Sequence, residues 1–368
     1  MLLSRASAGL LVLGRVMSSS AFSATPLSMS SQPACEIVPP LDATRGALLK
    51  TAGITIAALS SSPLGAEVSG MDLRQPQDEK MLAALQQEMA NRGFLVFKGQ
   101  GVLEPDEQIR ASELWGGREI ESTHGVHPAT PDMNQHIFRL SNAPRHGTLG
   151  VGPQWHNDGA FLAGTFSHVG YHIIKAAERG GGTFFAHQGA AFDRLPAEEQ
   201  ERWQRLVSVN SNSGVLHPLV HAHPINGRKS VWLHLGMTGA VIERVPAEER
   251  LRLLDAKEMK KLFNDYNDLL NSGVEAGYTT EYEYQAGDLV VIDNFAVGHR
   301  AAPTAHMSVE KQGLRILHRT TVKAMGDFKP ENLPQAVDIF APNPLGDDGV
   351  WIGGGIGFRW DESIKMQN

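Results

Sequence analysis

The residues with the clearest capacity for chemistry are His156 and Asp158, two positions apart in the chain. Residues i and i+2 of a β-strand point to the same face, so this imidazole and carboxylate could bind one cation together. His299 could supply a second imidazole, because it follows the apolar strand predicted at Leu289–Ile292. Two histidines and one carboxylate form the ligand set of non-haem Fe(II) oxygenases. A strand-end histidine bonded to its neighbouring aspartate would show the same local pattern.

Two arginines add a second chemical feature. Arg315, Leu317 and Arg319 alternate along a β-like run, so they share one face. If that face points into a barrel, two guanidinium groups are buried and need anionic partners, because an unpaired buried charge is costly. A dicarboxylate would satisfy them through paired hydrogen bonds. If the face is solvated, the arginines are ordinary surface charges.

The elements that must position these residues are mostly short strands separated by Gly and Pro. Many short strands with a few inserted helices favour a β-sandwich or barrel, so we predict a mainly β fold with added helices. The predicted helices are Asp78–Asn91, Ala197–Leu206 and Ala247–Leu270, and the predicted strands are Phe94–Phe97, Ser167–Ile174, Thr183–Ala186, Ser230–Leu235, Leu289–Ile292 and Leu314–Val322.

Composition excludes several classes of protein. The 368 residues are 42% hydrophobic and 20% charged, which is typical of a globular protein with a sizeable core. The net charge of −7 at pH 7 argues against a nucleic-acid partner and against a polybasic membrane anchor. Cys35 is the single cysteine, which excludes an internal disulfide framework. The sequence contains no run of about 18 apolar residues, so it predicts no membrane span.

The first 35 residues contain no Asp or Glu and combine two arginines with many Ser and Ala residues. This composition predicts a cleavable organellar transit peptide, for a mitochondrion or a plastid. The apolar stretch Ala8–Gly14 would also suit a secretory signal. A disordered tail, with Met17 or Met29 as the true start, is the alternative and would leave the protein cytoplasmic. We expect the main domain at 54–325 and a C-terminal extension at 326–368.

Taken in order, the motifs resemble the taurine/2,4-dichlorophenoxyacetate dioxygenase family (TauD/TfdA-like enzymes) over roughly residues 62–322. Members of this family use Fe(II) and 2-oxoglutarate on a double-stranded β-helix, or jelly roll. The resemblance therefore implies that fold for the main domain. The matching motifs are His156-x-Asp158, Gly181-Gly182-Thr183, Gly287-Asp288-Leu289, Asp293-Asn294, His299, Arg315 and Arg319.

The resemblance implies a role for each matching residue. His156, Asp158 and His299 would bind Fe(II). Thr183 and Arg315 would hold the distal carboxylate of 2-oxoglutarate. The implied reaction uses O2 and 2-oxoglutarate to hydroxylate a small, anionic organic substrate, a sulfonate or a carboxylate, with release of succinate and CO2. The implied partners are these small molecules, not nucleic acid or a membrane, and homo-oligomer formation stays open.

The residues that would meet the prime substrate are less sharply defined. Arg319 matches the position that contacts the acidic group of the substrate in the sulfonate-oxidising members. Phe161 matches an aromatic position of the substrate pocket, although a core role fits it equally well. His124 and His127 are both candidates for the histidine that touches a sulfonate. The alternative function is a jelly-roll metal-binding protein or metal-assisted isomerase without oxygenase activity, which would leave the implied 2-oxoglutarate ligands unexplained.

The sequence departs from the family pattern in several places; among them, His221 stands where many members carry Arg, and Gly159 follows the ligand Asp158 where bulkier residues can occur. The interval between the last iron ligand and the first arginine is longer than usual, with Pro303–Gln312 as the expected inserted loop. His217, His221 and His223 share one predicted strand face, so a second metal site is conceivable. The family parallel instead favours a hairpin at the barrel edge for these three histidines.

Overall fold

The structure is a computed structural model that describes residues 36–60, 62–245 and 250–341. The predicted leader and residues 342–368 of the predicted extension lie outside the described residues. The helices are α1 (Ala43–Thr51), α2 (Glu79–Arg92), α3 (Pro105–Ser112), α4 (Gln188–Arg194), α5 (Ala197–Trp203), α6 (Ala256–Ala276) and α7 (Val309–Gln312). The strands are β1 (Thr55–Ala58), β2 (Ala66–Ser69), β3 (Phe94–Phe97), β4 (Phe138–Ser141), β5 (Phe166–Lys175), β6 (Thr183–His187), β7 (Leu206–Asn210), β8 (Leu216–Pro218), β9 (Val220–Ala222), β10 (Lys229–Val231), β11 (Thr238–Val245), β12 (Arg250–Leu253), β13 (Thr279–Tyr282), β14 (Leu289–Asp293), β15 (Val297–Ala301) and β16 (Ile316–Lys323).

Two facing sheets form the body of the molecule. The larger sheet has the strand order β1-β2-β3-β14-β5-β16-β4, and the smaller one has the order β13-β6-β15. Side chains from both sheets share one apolar cluster, in which the rings of Phe94 and Phe185 lie 4.4 Å apart. A four-stranded sheet, β12-β11-β7-β8, and the pair β10-β9 complete the described strands. This is the mainly β, jelly-roll fold with added helices that the sequence predicts.

The position of strand β14 explains why its first four residues, Leu289–Ile292, are all apolar. It lies in the middle of the large sheet, between β3 and β5, and all five of its residues are buried. Leu289 and Val291 pack toward the layer that contains helix α2, whereas Val290 and Ile292 pack between the two sheets. Because both faces are covered, Leu289–Ile292 is apolar on both faces, and the polar fifth residue, Asp293, is buried with hydrogen-bond partners. The end of this strand delivers the chain to the candidate site.

The predicted helix at Asp78–Asn91 is confirmed as α2. The Asp78 carboxylate caps it by accepting hydrogen bonds from the backbone N–H groups of Lys80 and Met81. Gly93 ends it with a φ of 86°, a conformation that favours glycine. An ideal Cβ at Gly93 would also lie 2.2 Å from a methyl carbon of Val297. The helix therefore ends where the chain must pass tightly between the two sheets.

The predicted helix at Ala247–Leu270 is wrong over its first part. Arg250–Leu253 is strand β12, which pairs with β11, and α6 begins only at Ala256. The signal for the true start is a capping box, in which Asp255 and Glu258 each accept a hydrogen bond from the other's backbone N–H. Among the described residues, no helix is long and apolar enough to cross a membrane.

Two other predicted elements end early. The helix predicted at Ala197–Leu206 ends at Trp203, and Leu206 already begins β7. The strand predicted at Ser230–Leu235 ends at Val231, after which the chain turns. Tertiary pairing decides these boundaries, since local apolar patterns alone place them only within a few residues. The second change matters for function, because the turn that replaces the strand forms one wall of the candidate site.

Candidate active site

The backbone brings His156 and His299 together directly. Each donates its N–H to the carbonyl oxygen of the other, at 3.0 and 2.9 Å, in a single antiparallel bridge. His299 lies on β15, whose partner is β6. His156 forms only this isolated bridge and is not part of a longer strand, and the chain already turns at Asp158. The strand expected for His156 and Asp158 is thus reduced to one bridge, but the two side chains still converge.

The three predicted metal ligands form a compact, buried group. His156 Nε2 lies 4.0 Å from Asp158 Oδ1, and His299 Nε2 lies 3.7 Å from Asp158 Oδ2. One ligand atom from each residue lies within 4.8 Å of the other two. Within the described ranges, this is the one group of at least three His, Cys, Asp or Glu residues with such spacing. His217, His221 and His223, considered above as a second metal site, do not form one.

The protonation states of these ligands suit a metal ion. His156 donates its Nδ1–H to the Gln154 carbonyl at 2.7 Å, which leaves Nε2 with a free lone pair. Burial lowers the pKa of His156, and burial together with the neighbouring His156 lowers the pKa of His299 to about 3. Burial alone would raise the pKa of Asp158, but Arg319, His299 and His156 lower it to about 2. Two neutral imidazoles and one carboxylate are therefore present at neutral pH.

Several donor atoms of this group lack any partner in the described part of the chain. Both ring nitrogens of His299 and Oδ2 of Asp158 are buried without a hydrogen bond. Buried polar atoms of this kind are costly unless something satisfies them, and a divalent cation would satisfy Asp158 Oδ2 and one ring nitrogen of His299. Imidazole and carboxylate ligands suit several first-row divalent ions, including Fe(II). The residues therefore fit a metal ion of this class.

Three fully buried amide side chains, those of Asn157, Gln188 and Asn294, fix the ligand segment, the stretch that carries His156 and Asp158. Asn157, between the two ligands, donates to the Asn294 carbonyl at 2.7 Å and accepts from Gln188 Nε2 at 2.7 Å. Asn294 accepts from the Asp158 N–H at 3.0 Å and donates to the Asp158 carbonyl at 2.9 Å. The Asp293-Asn294 motif, which forms a turn, thus holds the backbone of a metal ligand. This role could not be inferred from the turn-forming tendency of the pair.

Arg315 and Arg319 face the interior, so the solvated alternative is wrong. Both are at most 9% exposed and line a small pocket beside His299. Arg315 donates to the Gly181 carbonyl at 3.1 Å, and no described carboxylate forms an ion pair with it. Thr183 lines the same pocket and accepts a 2.6 Å hydrogen bond from the Tyr284 hydroxyl. A buried guanidinium and a hydroxyl therefore converge on a space next to the metal ligands.

The Arg319 guanidinium already has a carboxylate and an aromatic partner in this structure. Its Nη1 donates to Asp158 Oδ1 at 2.8 Å, and its guanidinium carbon lies 4.8 Å above the Phe138 ring. It also lines a second cavity, of about 340 Å³, next to the metal ligands. Phe161 and His124 line this cavity, whereas His127 does not, and the His127 ring bonds to the Pro144 carbonyl. Contact of Arg319 and Phe161 with a substrate stays a prediction.

Sequence reasoning missed His234, which lies on the turn after β10. Its ring lies 5.2 Å from the His156 ring and lines the second cavity. The His234 Nδ1 accepts the Gly236 N–H at 3.1 Å, so the neutral ring carries its proton on Nε2. An ideal Cβ at Gly236 would lie 2.4 Å from Gln154 Oε1, so this turn packs tightly against the ligand segment. The premature end of β10 creates this wall, and local sequence carried no signal for it.

The fold and the site define a jelly-roll protein with a candidate mononuclear metal centre of two histidines and one aspartate. Comparison with known sequences agrees with this description, since the sequence model of the taurine catabolism dioxygenase TauD, TfdA family matches residues 55–321. The chain belongs to that family, which makes it an oxidoreductase of the dioxygenase class.

Individual relatives are distant. The chain is 24% identical over 280 residues to an alpha-ketoglutarate-dependent sulfonate dioxygenase of Saccharomyces cerevisiae, covering 69% of this chain and 64% of the yeast protein. It is 23% identical over 290 residues to an alpha-ketoglutarate-dependent sulfate ester dioxygenase of Pseudomonas putida, covering 70% and 86%. The crystal structure of a taurine dioxygenase from Burkholderia xenovorans is similar with a TM-score of 0.59 and 20% identity, covering 77% and 95%, which confirms the fold.

Proposed function

We propose that the protein is an Fe(II)- and 2-oxoglutarate-dependent dioxygenase that hydroxylates a small, anionic organic molecule, a sulfonate or a carboxylate, and releases succinate and CO2. The observation that carries this proposal is Arg315, a buried guanidinium without a described carboxylate partner, in a pocket that also contains His299. A buried cation next to a metal centre requires an anion, and a metal-chelating keto acid with a second carboxylate supplies one. A purely structural metal site would not need this arginine.

The roles of the site residues follow from their positions. His156, Asp158 and His299 would hold the iron, which when bound supplies the activation of O2. Arg315 and Thr183 would bind and orient the distal carboxylate of 2-oxoglutarate. The protein's own contribution is to orient the reactants in a site from which its buried walls exclude water.

The second cavity favours an anionic prime substrate with an apolar body. Its described lining contains one arginine, Arg319, the neutral imidazoles of His124 and His234, and no carboxylate other than the ligand Asp158. Phe161 and other apolar side chains form much of the remaining wall, to which Thr123, Gln154 and the ligand His156 add polar groups. The relatives named above act on a sulfonate and a sulfate ester, which agrees with an anionic head group. A volume of about 340 Å³ suits a small organic molecule.

The proposal is tested without knowledge of the prime substrate. Anaerobic addition of 2-oxoglutarate to the Fe(II)-loaded protein should produce a visible metal-to-ligand charge-transfer band. Arg315→Ala should raise the 2-oxoglutarate concentration needed for half of this band by at least about tenfold, because an ionic hydrogen bond in a buried site contributes about 1.5–3 kcal/mol. Arg110→Ala, which removes an exposed arginine on α3, should leave the titration unchanged.

A wild-type protein without the band, or an Arg315→Ala variant with an unchanged titration, would contradict the proposal. The result would then favour a jelly-roll metal-binding protein or a metal-assisted isomerase. If the band appears, a screen of sulfonates, sulfate esters, aryloxy acids and amino acids for substrate-triggered succinate release would identify the class of prime substrate.

A further inference from the structure

His306 lies in the pocket proposed for 2-oxoglutarate, and none of the roles assigned above uses it. It ends the 3₁₀ turn Pro303–His306 that follows β15, within the segment predicted as an inserted loop. Its side chain lines the same pocket as Thr183, Arg315 and His299. Its Nε2 is buried and has no hydrogen-bond partner among the described residues.

The turn that carries His306 is fixed on both sides. The Thr304 hydroxyl accepts the Gly181 N–H at 3.1 Å, and the Met307 carbonyl accepts a hydrogen bond from Asn142 Nδ2 at 3.2 Å. Asn142 Oδ1 in turn accepts the Arg315 N–H at 2.9 Å. One asparagine therefore connects the His306 turn to the arginine of the pocket. The backbone that carries His306 is therefore preorganised, so little backbone entropy is lost when this side chain binds a ligand.

The other donors of the pocket show what an imidazole could add. Because the Tyr284 hydroxyl donates to Thr183 Oγ1, the hydrogen of Thr183 is free to point at a ligand. Arg315 uses Nη1 on the Gly181 carbonyl, and its buried Nε has no partner in the described part of the chain. A carboxylate has about four acceptor positions. The Thr183 hydroxyl and the partly used Arg315 guanidinium would not fill all of them. Burial, and then Arg315, lowers the pKa of His306, so a neutral ring with one N–H is available.

We propose that His306 is a third donor to the distal carboxylate of the keto diacid, through Nε2–H, beside Arg315 and Thr183. This inference rests on the proposed function. It makes the Pro303–His306 turn part of the mechanism by which the site selects 2-oxoglutarate over 2-oxo acids without a second carboxylate. Pyruvate is such an acid, since it carries the chelating keto and carboxylate groups and nothing for His306 to contact.

The test compares 2-oxoglutarate and pyruvate on the anaerobic, Fe(II)-loaded, full-length protein. His306→Leu should weaken 2-oxoglutarate binding by about tenfold, as expected for one hydrogen bond to a charged group, while pyruvate binding changes less than about twofold. His306→Gln, which keeps an N–H donor, should recover part of the loss. Lys311→Gln, an exposed change in the same segment, should alter neither titration. Calorimetry with the Mn(II)-loaded protein gives the same comparison without the visible band.

Each outcome decides the inference. An equal loss for both acids in the His306 variants would assign His306 a structural role and overturn the proposal, as would unchanged binding of 2-oxoglutarate. If His306→Leu fails to fold, as judged by its thermal unfolding, the two titrations of His306→Gln decide in the same way. A wild-type protein that binds neither acid at its metal would overturn the proposed function itself, and this inference with it.

Discussion

The ionisation of Asp158 depends on one residue that is not a metal ligand. Arg319 donates to Asp158 Oδ1 at 2.8 Å, and both side chains are about one-tenth exposed. Burial on its own raises the pKa of a carboxyl, so Arg319 reverses that tendency and contributes most to the pKa of about 2. A metal ligand that is already ionised does not need to lose a proton before it binds. Arg319 thus keeps Asp158 ionised and ready to bind a metal, and this role does not depend on any contact with a substrate.

We expect Arg319→Ala to make metal binding sensitive to pH in a range where the wild-type carboxylate is not. Without the guanidinium, burial acts on Asp158 without its largest opposing cause, so the pKa of this carboxyl should rise and protons should compete with the metal at a higher pH than in the wild type. Calorimetry with Mn(II) at pH 7.0 and 5.0 should show a larger loss of affinity for Arg319→Ala than for wild type. Arg319→Lys, which keeps the charge, is the control. The same loss in both proteins would refute the role assigned to Arg319.

At the level of elements, the turn between β14 and β15 holds the backbone of one metal ligand and leads directly into the strand that contains another. Asp293 accepts the backbone N–H groups of Phe295 and Ala296, and its carboxylate also contacts His223 Nε2 at 3.1 Å. Asn294, the next residue, bonds to both backbone polar groups of Asp158. The strand that follows delivers His299. One turn therefore sets the positions of two metal ligands.

Asn294→Ala should weaken both folding and metal binding. The substitution leaves the Asp158 N–H without its buried partner and removes the bonds to the Asp158 and Phe166 carbonyls, the first of which keeps a second donor in the Thr165 hydroxyl. We expect the free energy of unfolding to fall by about 2–4 kcal/mol, since each orphaned buried group costs about 1–3 kcal/mol and partial relaxation recovers some of it. Urea denaturation and Mn(II) calorimetry measure the two effects. Asn267→Ala, on α6, is the matched control, and an Asn294→Ala variant that behaves like it would contradict this role.

On the scale of the whole molecule, burial holds several histidines away from the metal centre in their neutral form. Burial is the main cause of each shift, and Arg228 or Arg139 adds to it at His187 and His318 respectively. The folded-state pKa is about 4 for His217 and about 3 for His187, His221 and His318, against 6.5 for an ordinary histidine. The fold thus excludes protons that the unfolded chain would bind.

The metal-free protein should therefore lose stability between pH 7.5 and pH 5.5. Below 6.5 the unfolded chain takes up protons while the folded one does not, so the free energy of unfolding falls by about 1 kcal/mol per histidine over this interval. The buried aspartates, with pKa values of about 2, lose their contribution only at much lower pH. Urea denaturation at the two pH values measures the loss. His221→Gln should reduce it by about one histidine's share, and equal stability at both pH values would refute the argument.

An element could be predicted from the sequence where its own residues, such as capping residues and an apolar face, mark its bounds. Helix α2 was predicted almost to the residue, because Asp78 and Gly93 cap it and one face is apolar. The start of α6 was missed, because Arg250–Leu253 pairs with a strand that lies before it in the chain. The partner β11 ends at Val245, only five positions earlier, so the missed signal is a pairing between two neighbouring segments, which the residue pattern of Arg250–Leu253 on its own does not show.

The sequence by itself determined the donor types, their order along the chain, and the apolar strands that bury them. His156, Asp158, His299, Thr183 and Arg315 could be named because their motifs are local and ordered. Only the tertiary structure decided what meets across the chain, such as the contact between Arg319 and a metal ligand, the hydrogen bond from Tyr284 to Thr183, and the approach of His234 and His306 to the site. The physical reason is that chemical type is a property of each residue, whereas proximity results from packing two sheets over one core, which local spacing does not encode.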